Sequence, residues 1–251
     1  SAIGLDQDTE ALERSKNRLK DYKNVTFVES SFGDLDKVLD DLNISKVNRI
    51  MLDLGLSSDQ FETSGRGFTF KNDEPLLMTF KKNPDQGDLT AYQIVNTWEE
   101  ENIADVIYGY GEEKYSRRIA KAIVNYREKK AIEKTSELVE IISNSVPVFY
   151  KRGRIHPATR TFQALRIAVN DELNTLKRGL ERGFARLASG GRIAVISFHS
   201  LEDRIVKNFN KEKEELEQAR IITKKPIVPS EDEVRENPRS RSAKLRILEK
   251  I

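Results

Sequence analysis

The chain has 251 residues, a near-neutral net charge of +2 and no cysteine. A chain of this length forms one large domain, or one domain that carries a smaller insert. The lack of cysteine excludes disulfide bonds, a thiolate nucleophile and a cysteine-ligated zinc site. Because His156 and His199 are the only histidines, a histidine-rich metal site is excluded too, and we expect no bound metal.

The apolar runs of the sequence are short. The longest, such as Ile193–Phe198, fall well below the ~20 residues that a membrane-spanning helix needs. No signal-peptide pattern opens the sequence. We therefore expect a soluble, cytoplasmic protein without membrane contacts, and nothing in these features predicts its oligomeric state.

Strands and helices are predicted to alternate in the first part of the chain. Apolar runs predict strands at Ala2–Leu5, Val25–Val28 and Val47–Leu54, with a helix after Asp8 and another at Asp34–Leu42. This alternation is typical of a parallel sheet covered by helices.

The middle of the chain is predicted to be helical. From Asp88 to Ser145 helix follows helix without a strand, which indicates an inserted helical lobe. A long helical stretch then runs from Pro157 to Leu187 and ends at the glycines of Ser189–Gly191. The remaining predictions are a strand at Arg192–Phe198, a helix at Leu201–Gln218, an irregular stretch at Pro226–Pro238 and a last strand at Ala243–Leu248. The predicted fold is an open, doubly wound α/β sheet with a helical insert.

Ligands bind such sheets at the carboxyl ends of the strands, so several strand ends are predicted to face one crevice. These are Asp6, the Glu29–Phe32 segment, Asp53 and Ser197–His199. The carboxylate of Asp6 suits two adjacent ribose hydroxyls, but it also suits a helix N-cap or a turn. Phe32 suits either an adenine face or the core.

Asp53 closes a predicted strand and precedes a loop in which glycines alternate with aromatic residues. The loop contains Gly55, Phe61, Gly65, Gly67, Phe68 and Phe70. Glycine lets a nucleobase approach the backbone and aromatic rings stack on it, as in sites for single-stranded nucleic acids. An ordinary surface loop anchored by aromatic side chains has the same composition.

Basic residues are concentrated in two segments. The segment Lys151–Asn170 holds five basic residues and no acid, and Arg235–Ile251 holds six basic residues against two acids. Such segments suit a polyanion, but solvated surface charge is the simpler explanation of a charge run taken alone.

Five motifs resemble those of the RsmH family, formerly called MraW, and the resemblance spans nearly the whole chain. They are Leu52–Ser58, Arg66–Phe68, His156–Ile167, Ser197–Lys207 and Glu236–Ser242. Members of that family are S-adenosylmethionine-dependent methyltransferases that modify N4 of a cytidine in the decoding region of 16S ribosomal RNA. The resemblance implies a class I, Rossmann-like methyltransferase fold with a helical insert.

The resemblance also implies the site residues. Cofactor contacts fall on Asp6, Phe32, Asp53 and Gln60, and Asp53 is the candidate that accepts hydrogen bonds from the target amine. The substrate side is implied to include His156, Arg160, Thr161, Gln163, Arg166, His199 and Arg204. Phe61, Phe68, Phe70 and Phe198 are four alternative rings that would stack on an unstacked base. His156 and Arg166 have structural alternatives, as a helix cap and as a bridge between lobes.

The implied domain division assigns residues 1–75 and 168–251 to the methyltransferase domain and 76–167 to the insert. The chain starts after the strand and glycine-rich loop with which the family begins. We therefore expect the strands that bear Asp6 and Asp53 to have two buried edges without hydrogen-bond partners. A second departure from the family pattern lies in Pro75–Phe80. There Leu77 stands in place of an acidic residue of the relatives, and Thr79 stands in place of a basic residue.

Two other classes of protein share some of these sequence features. A dehydrogenase is disfavoured because the Tyr-x-x-x-Lys pair at Tyr126 and Lys130 lies in the helical insert, with no strand-borne serine leading to it. A non-catalytic RNA-binding protein stays open because of the absent glycine-rich loop. Binding of S-adenosylmethionine separates this alternative from an enzyme.

Overall fold

The computed structural model describes the backbone of residues 1–251 and every side chain except that of Asp59. The chain divides into two compact units. The α/β unit comprises residues 1–55 and 173–251, and the helical unit comprises residues 56–172. The predicted insert at 76–167 lies within the helical unit, which extends further at both ends.

The strands of the α/β unit follow the predicted order. They are β1 (Ala2–Asp6), β2 (Val25–Glu29), β3 (Val47–Asp53), β4 (Leu187–Ser197), β5 (Ala219–Ile221) and β6 (Lys244–Lys250). β1 and β2 form a parallel two-stranded sheet, and the second sheet has the order β3-β4-β6-β5. β3 and β4 are parallel, whereas β6 is antiparallel to both of its neighbours. The predicted α/β class is confirmed, with a mixed rather than wholly parallel second sheet.

β1 and β3 are each paired on one side only, because no ladder joins the two sheets of the described chain. The expected unpaired edges are therefore present; β1 is mostly half-buried, whereas on β3 the expectation of a buried edge is wrong. Arg49 and Asp53 on β3 are exposed, and Met51 between them exposes 66% of its surface. No strand of the described chain pairs with this edge.

Five α-helices of the described chain belong to the α/β unit. They are α1 (Thr9–Arg18), α2 (Leu35–Asp41), α10 (Glu172–Arg186, beginning at the unit boundary), α11 (Ser200–Glu215) and α12 (Glu231–Glu236). Leu176, Leu180 and Phe184 of α10 pack with Ile193 and Val195 of β4 in one core. Apolar residues every three or four positions place these α10 side chains on one helix face.

The helical unit forms a second core. Its helices are α3 (Ser58–Thr63), α4 (Ala91–Thr97), α5 (Glu100–Gly111), α6 (Ser116–Arg127), α7 (Thr135–Ser145), α8 (Val148–Lys151) and α9 (Thr159–Val169). The predicted run of helices from Asp88 to Ser145 is confirmed. Phe68 and Leu76 are buried in the same core, so the segment before α4 packs with this unit. That packing explains why the unit begins earlier than residue 76.

The predicted single helix from Pro157 to Leu187 is wrong, because the chain breaks between α9 and α10. Asp171 adopts a left-handed conformation with φ 47°. The side chain of Asn170 accepts a hydrogen bond from Phe80 N (2.8 Å) and donates one to Met78 O (2.8 Å). These contacts with a distant segment end α9, and sequence periodicity carries no sign of them.

The prediction that Ser189–Gly191 separates a helix from a strand is also wrong. These residues lie within β4, which pairs with β3 from Leu187 onwards and shifts register between Val47 and Arg49. Gly190 has φ +72°, which suits a bulge at this shift. The sequence analysis also did not predict β5 or α12. No helix among the described residues is long and apolar enough to cross a membrane.

Candidate functional site

Asp6 ends β1 as predicted and is not the N-cap of the following helix. Its Oδ1 accepts a hydrogen bond from Asp8 N at 2.8 Å. Asp8 is the N-cap, since its own carboxylate accepts from Glu10 N at 3.0 Å and the residue is fully buried. Burial raises the pKa of Asp6 above its ordinary value, more than the backbone N–H groups of Asp8 and Gln7 lower it. A half-buried carboxylate has two oxygens and about four acceptor positions, so Asp6 retains acceptor capacity for a polar ligand beyond its backbone contacts.

Phe32 lies beyond the end of β2, at the start of a 3-10 turn that ends at Asp34. Its ring packs against α10, where a Cβ on Gly179 would approach it to 2.7 Å. The ring is half-buried, so it joins the core on one side and keeps some exposed surface. The two explanations offered for Phe32 are therefore compatible.

Asp53 ends β3 opposite Ile196 of β4. The residue is exposed, and partial burial of its carboxyl raises its pKa above the ordinary value. The chain then turns at Gly55, which has φ +90° and lies beside the ring of Phe198. The carboxylate of Asp53, whose pKa is raised, therefore lies at the end of β3, and the turn that follows it at Gly55 lies beside the ring of Phe198.

His199 is the N-cap of α11. Its Nδ1 accepts from Glu202 N at 3.4 Å, and Glu202 Oε2 accepts from Phe198 N at 2.8 Å. His199 Nε2 is buried, lies 3.2 Å from Glu202 Oε1 and makes no hydrogen bond among the described residues. The predicted substrate residue therefore has a capping function, and Arg204 on the same helix is exposed.

Gln60, a predicted cofactor residue, lies in the helical unit. It caps α3 with Ser57, because Gln60 Oε1 accepts from Ser57 N and Ser57 Oγ accepts from Gln60 N, both at 3.1 Å. The side chain is buried. The structure thus shows a local structural function for this residue.

The Arg66–Phe68 motif is held by a buried carboxylate that sequence reasoning missed. Glu74 Oε2 accepts from Gly67 N at 2.8 Å, and Thr135 Oγ1 accepts from Glu74 N at 3.0 Å. Gly67 has φ +80°, and a Cβ there would lie 2.4 Å from Pro75 O. Only glycine fits this position, so the motif has a conformational cause.

The four candidate stacking rings differ in burial. Phe68 is 5% exposed and packed in the helical core, so it is wrong as a stacking ring. Phe61 and Phe70 are half-buried in the helical unit, and Phe198 is half-buried in the α/β unit. The ring of Phe70 is itself stacked on His156, at 4.6 Å between centroids.

His156 is exposed and has a structural contact. Its Nδ1 accepts from Ala158 N at 3.2 Å, just before α9 begins. This agrees with the predicted helix cap. The exposed face of the imidazole remains available to a ligand.

The predicted substrate residues on α9 are engaged within the helical unit. Arg160 donates to Glu112 O at 2.8 Å, Gln163 donates to Tyr110 O at 3.2 Å, and Arg166 forms a two-pronged ion pair with Glu172. Thr161 is fully buried, and its Oγ1 has no hydrogen-bond partner among the described residues. Most of this motif therefore fastens α9 to its neighbours.

The Pro75–Phe80 segment is also packed. Thr79 is buried and its hydroxyl accepts from Lys81 N at 3.3 Å, while Leu77 O accepts from Ala91 N at 3.0 Å. The two residues that depart from the resemblance thus belong to the folded segment that precedes α4.

The sequence of the chain is similar to those of known proteins. The family described as the MraW methylase family matches residues 1–251. The chain belongs to this family. Three relatives are named ribosomal RNA small subunit methyltransferase H. Their sequences are identical to this chain at 51% of positions for the protein from Sulfurihydrogenibium sp. (strain YO3AOP1), 48% for that from Persephonella marina and 47% for that from Clostridium botulinum (strain Kyoto / Type A2). In each case the match covers 99% of this chain and 84% of the relative.

Membership of the MraW methylase family implies a methyl donor. The α/β unit of this family member presents Asp6 and Asp53 at strand ends, and burial raises the pKa of both. Sequence reasoning missed Glu202, Glu74 and Asn170, which fix the motif backbones. Glu202 stands at the third helical position after His199, the capping spacing that would have found it.

Proposed function

We propose that this chain is an S-adenosylmethionine-dependent methyltransferase that modifies N4 of a cytidine in the decoding region of small-subunit ribosomal RNA. The observation that carries the proposal is the family match over residues 1–251, together with relatives named ribosomal RNA small subunit methyltransferase H, one of them 51% identical. A ribosomal substrate would place the activity in the cytoplasm.

The α/β unit has residues that fit the nucleoside part of this cofactor. Asp6 offers a half-buried carboxylate at the end of β1, and a carboxylate there accepts hydrogen bonds from both ribose hydroxyls. Phe32 offers part of an aromatic face beside the next strand. Gln60 is the weakest of the predicted cofactor residues, because its Oε1 already caps α3.

The bound cofactor supplies an electrophilic methyl group on a sulfonium, so the protein needs no covalent nucleophile. Its tasks are to hold the target amine in line and to exclude water. We assign Asp53 to accept a hydrogen bond from the amine, which orients the nitrogen lone pair. The target amine would take the methyl group as the S–C bond of the sulfonium breaks to leave a neutral thioether, and it would lose one proton to the Asp53 carboxylate. Phe198, which lies beside the turn after Asp53, is the ring we assign to the unstacked base.

Calorimetric titration with S-adenosylhomocysteine tests the cofactor site. We expect the wild-type chain to bind and Asp6→Asn to bind about 10-fold to 150-fold more weakly, since a hydrogen bond to a charged group contributes about 1.5–3 kcal/mol. Asp21→Asn is the matched control, because Asp21 is exposed and lies in the same unit. Equal affinities for Asp6→Asn and wild type would overturn the ribose assignment.

A methyl-transfer assay tests the reaction. Small-subunit ribosomal RNA that lacks the modification is incubated with the chain and labelled S-adenosylmethionine, and the nucleosides are then separated by mass spectrometry. We expect the label in N4-methylcytidine, and Asp53→Asn should lower the turnover more than it lowers the affinity for S-adenosylhomocysteine, because Asp53 is also an implied cofactor contact. A folded chain that binds the RNA but neither binds the cofactor nor transfers methyl would instead support the non-catalytic RNA-binding alternative.

A further inference from the structure

A segment of the helical unit combines exposed apolar side chains with exposed cations. Val148, Phe149 and Ile155 expose 63%, 68% and 51% of their surfaces. Lys151, Arg152 and Arg154 lie between them in sequence and are also exposed. We call these six residues the 148–155 surface.

The three cations are not neutralised by neighbours. None of the described side chains forms an ion pair with Lys151, Arg152 or Arg154, and no acid occurs from Ile141 to Asn170. By contrast, Arg166 on α9 is paired with Glu172. The positive charge of the 148–155 surface is therefore available to an anionic partner.

The surface is held in place by Tyr150. Its hydroxyl donates to the fully buried Glu113, and its ring packs edge-on against Tyr115 at 4.9 Å between centroids. Burial and the Glu113 contact raise the pKa of Tyr150 to about 12, so the phenol adds no negative charge near pH 7. Gly153 N donates to Tyr150 O at 3.1 Å, which closes the turn between Lys151 and Arg154.

Two more cations adjoin this anchor. Lys114 Nζ lies 5.4 Å from the centre of the Tyr150 ring, and Arg118 lies 5.9 Å from the centre of the Tyr115 ring. Both side chains are exposed. Glu112, two residues before Lys114, is an exposed acid, and its carbonyl accepts from Arg160. Lys114 and Arg118 thus add positive charge beside the two tyrosine rings.

We propose that the 148–155 surface docks the RNA substrate away from the target nucleotide, with Lys151, Arg152 and Arg154 on phosphates and Phe149 stacked on an unpaired base. This proposal rests on the proposed function. Protein-docking patches exclude charge from their apolar centre, whereas here three cations lie between the exposed apolar residues. Alternation of basic and aromatic side chains is the composition of surfaces that bind unpaired RNA.

Fluorescence anisotropy tests the charges, with a labelled fragment of small-subunit ribosomal RNA that contains the decoding-region stem. We expect Lys151→Ala/Arg152→Ala/Arg154→Ala to weaken binding about 10-fold or more near 0.1 M salt and to reduce the log–log salt slope by about 2. Lys16→Ala/Lys20→Ala/Lys23→Ala is the matched control, because it removes the same charge from exposed positions on the α/β unit. Equal losses in the two triple variants, or no loss in the first, would overturn the proposal.

Phe149→Ser tests the stacking contact. We expect about a fivefold loss of RNA affinity with an unchanged salt slope, because base stacking is not a charge interaction. Tyr108→Ser is the control, since Tyr108 is similarly exposed on α5. Wild-type RNA affinity in Phe149→Ser would remove the stacking part of the proposal.

Two further measurements separate this proposal from its alternatives. Titration of the Lys151→Ala/Arg152→Ala/Arg154→Ala variant with S-adenosylhomocysteine should give the wild-type affinity. If the proposed methyltransferase function is wrong, the wild-type chain should also fail to bind S-adenosylhomocysteine, so the two failures are distinguishable. If Val148→Ser/Phe149→Ser/Ile155→Ser lost binding to assembled small subunits but bound free RNA normally, the surface would dock a ribosomal protein and the RNA proposal would be wrong.

Discussion

The helical unit and the α/β unit bury their apolar residues to different extents. Seven isoleucines of the helical unit have no exposed surface: Ile94, Ile103, Ile107, Ile119, Ile123, Ile132 and Ile142. In the α/β unit, β4 and β6 contribute buried residues, but no described residue of β1 or β2 is buried. Burial of apolar surface is the main favourable term in folding. The helical unit is therefore stabilised by its own core, whereas the two-stranded sheet that bears Asp6 depends on local contacts.

The largest expected effect is in the helical core. Ile107→Ala should lower the free energy of unfolding of the helical unit by about 3–4 kcal/mol, because it leaves a cavity in a closed core. The single tryptophan, Trp98, packs against this core, so its fluorescence during urea unfolding reports on the helical unit. Tyr108→Ala is the control at an exposed neighbouring position, and a loss there as large as at Ile107 would contradict the comparison.

A smaller effect is expected where α11 meets β6 in the α/β unit. Asp203 is ion-paired with Arg246 at 2.7 Å and Lys244 at 3.1 Å. Asp203→Asn should destabilise the unit by about 2 kcal/mol at neutral pH, because it leaves a nearly buried Arg246 without its counter-charge.

The Asp203 effect should depend on pH. Burial raises the pKa of Asp203, but the hydrogen bonds from Arg246 and Lys244 together lower it further, to below its ordinary value of 3.8. The contribution of the ionised carboxylate is complete above that value and is lost as the pH falls through the lowered native pKa. Urea unfolding of wild type and Asp203→Asn at several pH values should therefore converge in acid, and a constant difference down to low pH would exclude this ion pair as its source.

The cap of α1 should contribute less. Asp8→Ala removes the N-cap beside the two-stranded sheet and should cost about 1 kcal/mol. Hydrogen exchange of the amides in β1 and β2 measures it, since faster exchange confined to these strands would show that they are stabilised locally. Asp21→Ala serves as the exposed control, and exchange that accelerates equally throughout both units would contradict local stabilisation.

The smallest effect is expected on the open edge of β3. Met51→Ala should change stability by no more than about 0.5 kcal/mol, because the side chain is exposed. The same urea titration followed by circular dichroism measures this. A loss comparable to that of Ile107→Ala would show that Met51 is covered in solution and would break the contrast between the two units.

Sequence predicted the elements whose signal is local. The apolar runs at Val25–Val28 and Val47–Leu54 correspond to β2 and β3, and the run of central helices was recognised from its periodicity. The break before α10 depends on Asn170 binding residues 78–80, and the start of β4 depends on pairing with Val47. Both are long-range contacts that a periodicity argument does not include.

The candidate site shows the same division. The sequence identified Asp6 and Asp53 as carboxylates at strand ends. It could not decide whether Asp6 caps α1, and in the structure the N-cap of α1 is the buried Asp8. The sequence also could not show which of the four candidate phenylalanine rings is accessible to a base, because the burial of each ring depends on how its unit packs. The resemblance pointed to the α9 motif as a substrate surface, whereas the structure shows that Arg160, Gln163 and Arg166 hold the helical unit together.

The unpaired edges of β1 and β3 also bear on how copies of this chain behave together. An open strand edge offers a row of free backbone donors and acceptors to any other extended segment, including the same strand of a second molecule. On β3 the exposed Met51 adds an apolar contact, while the exposed Arg49 places like charges against each other when two such edges meet. Arg49 and Met51 would therefore act in opposite directions on any such pairing, because the charge opposes it and the apolar side chain favours it.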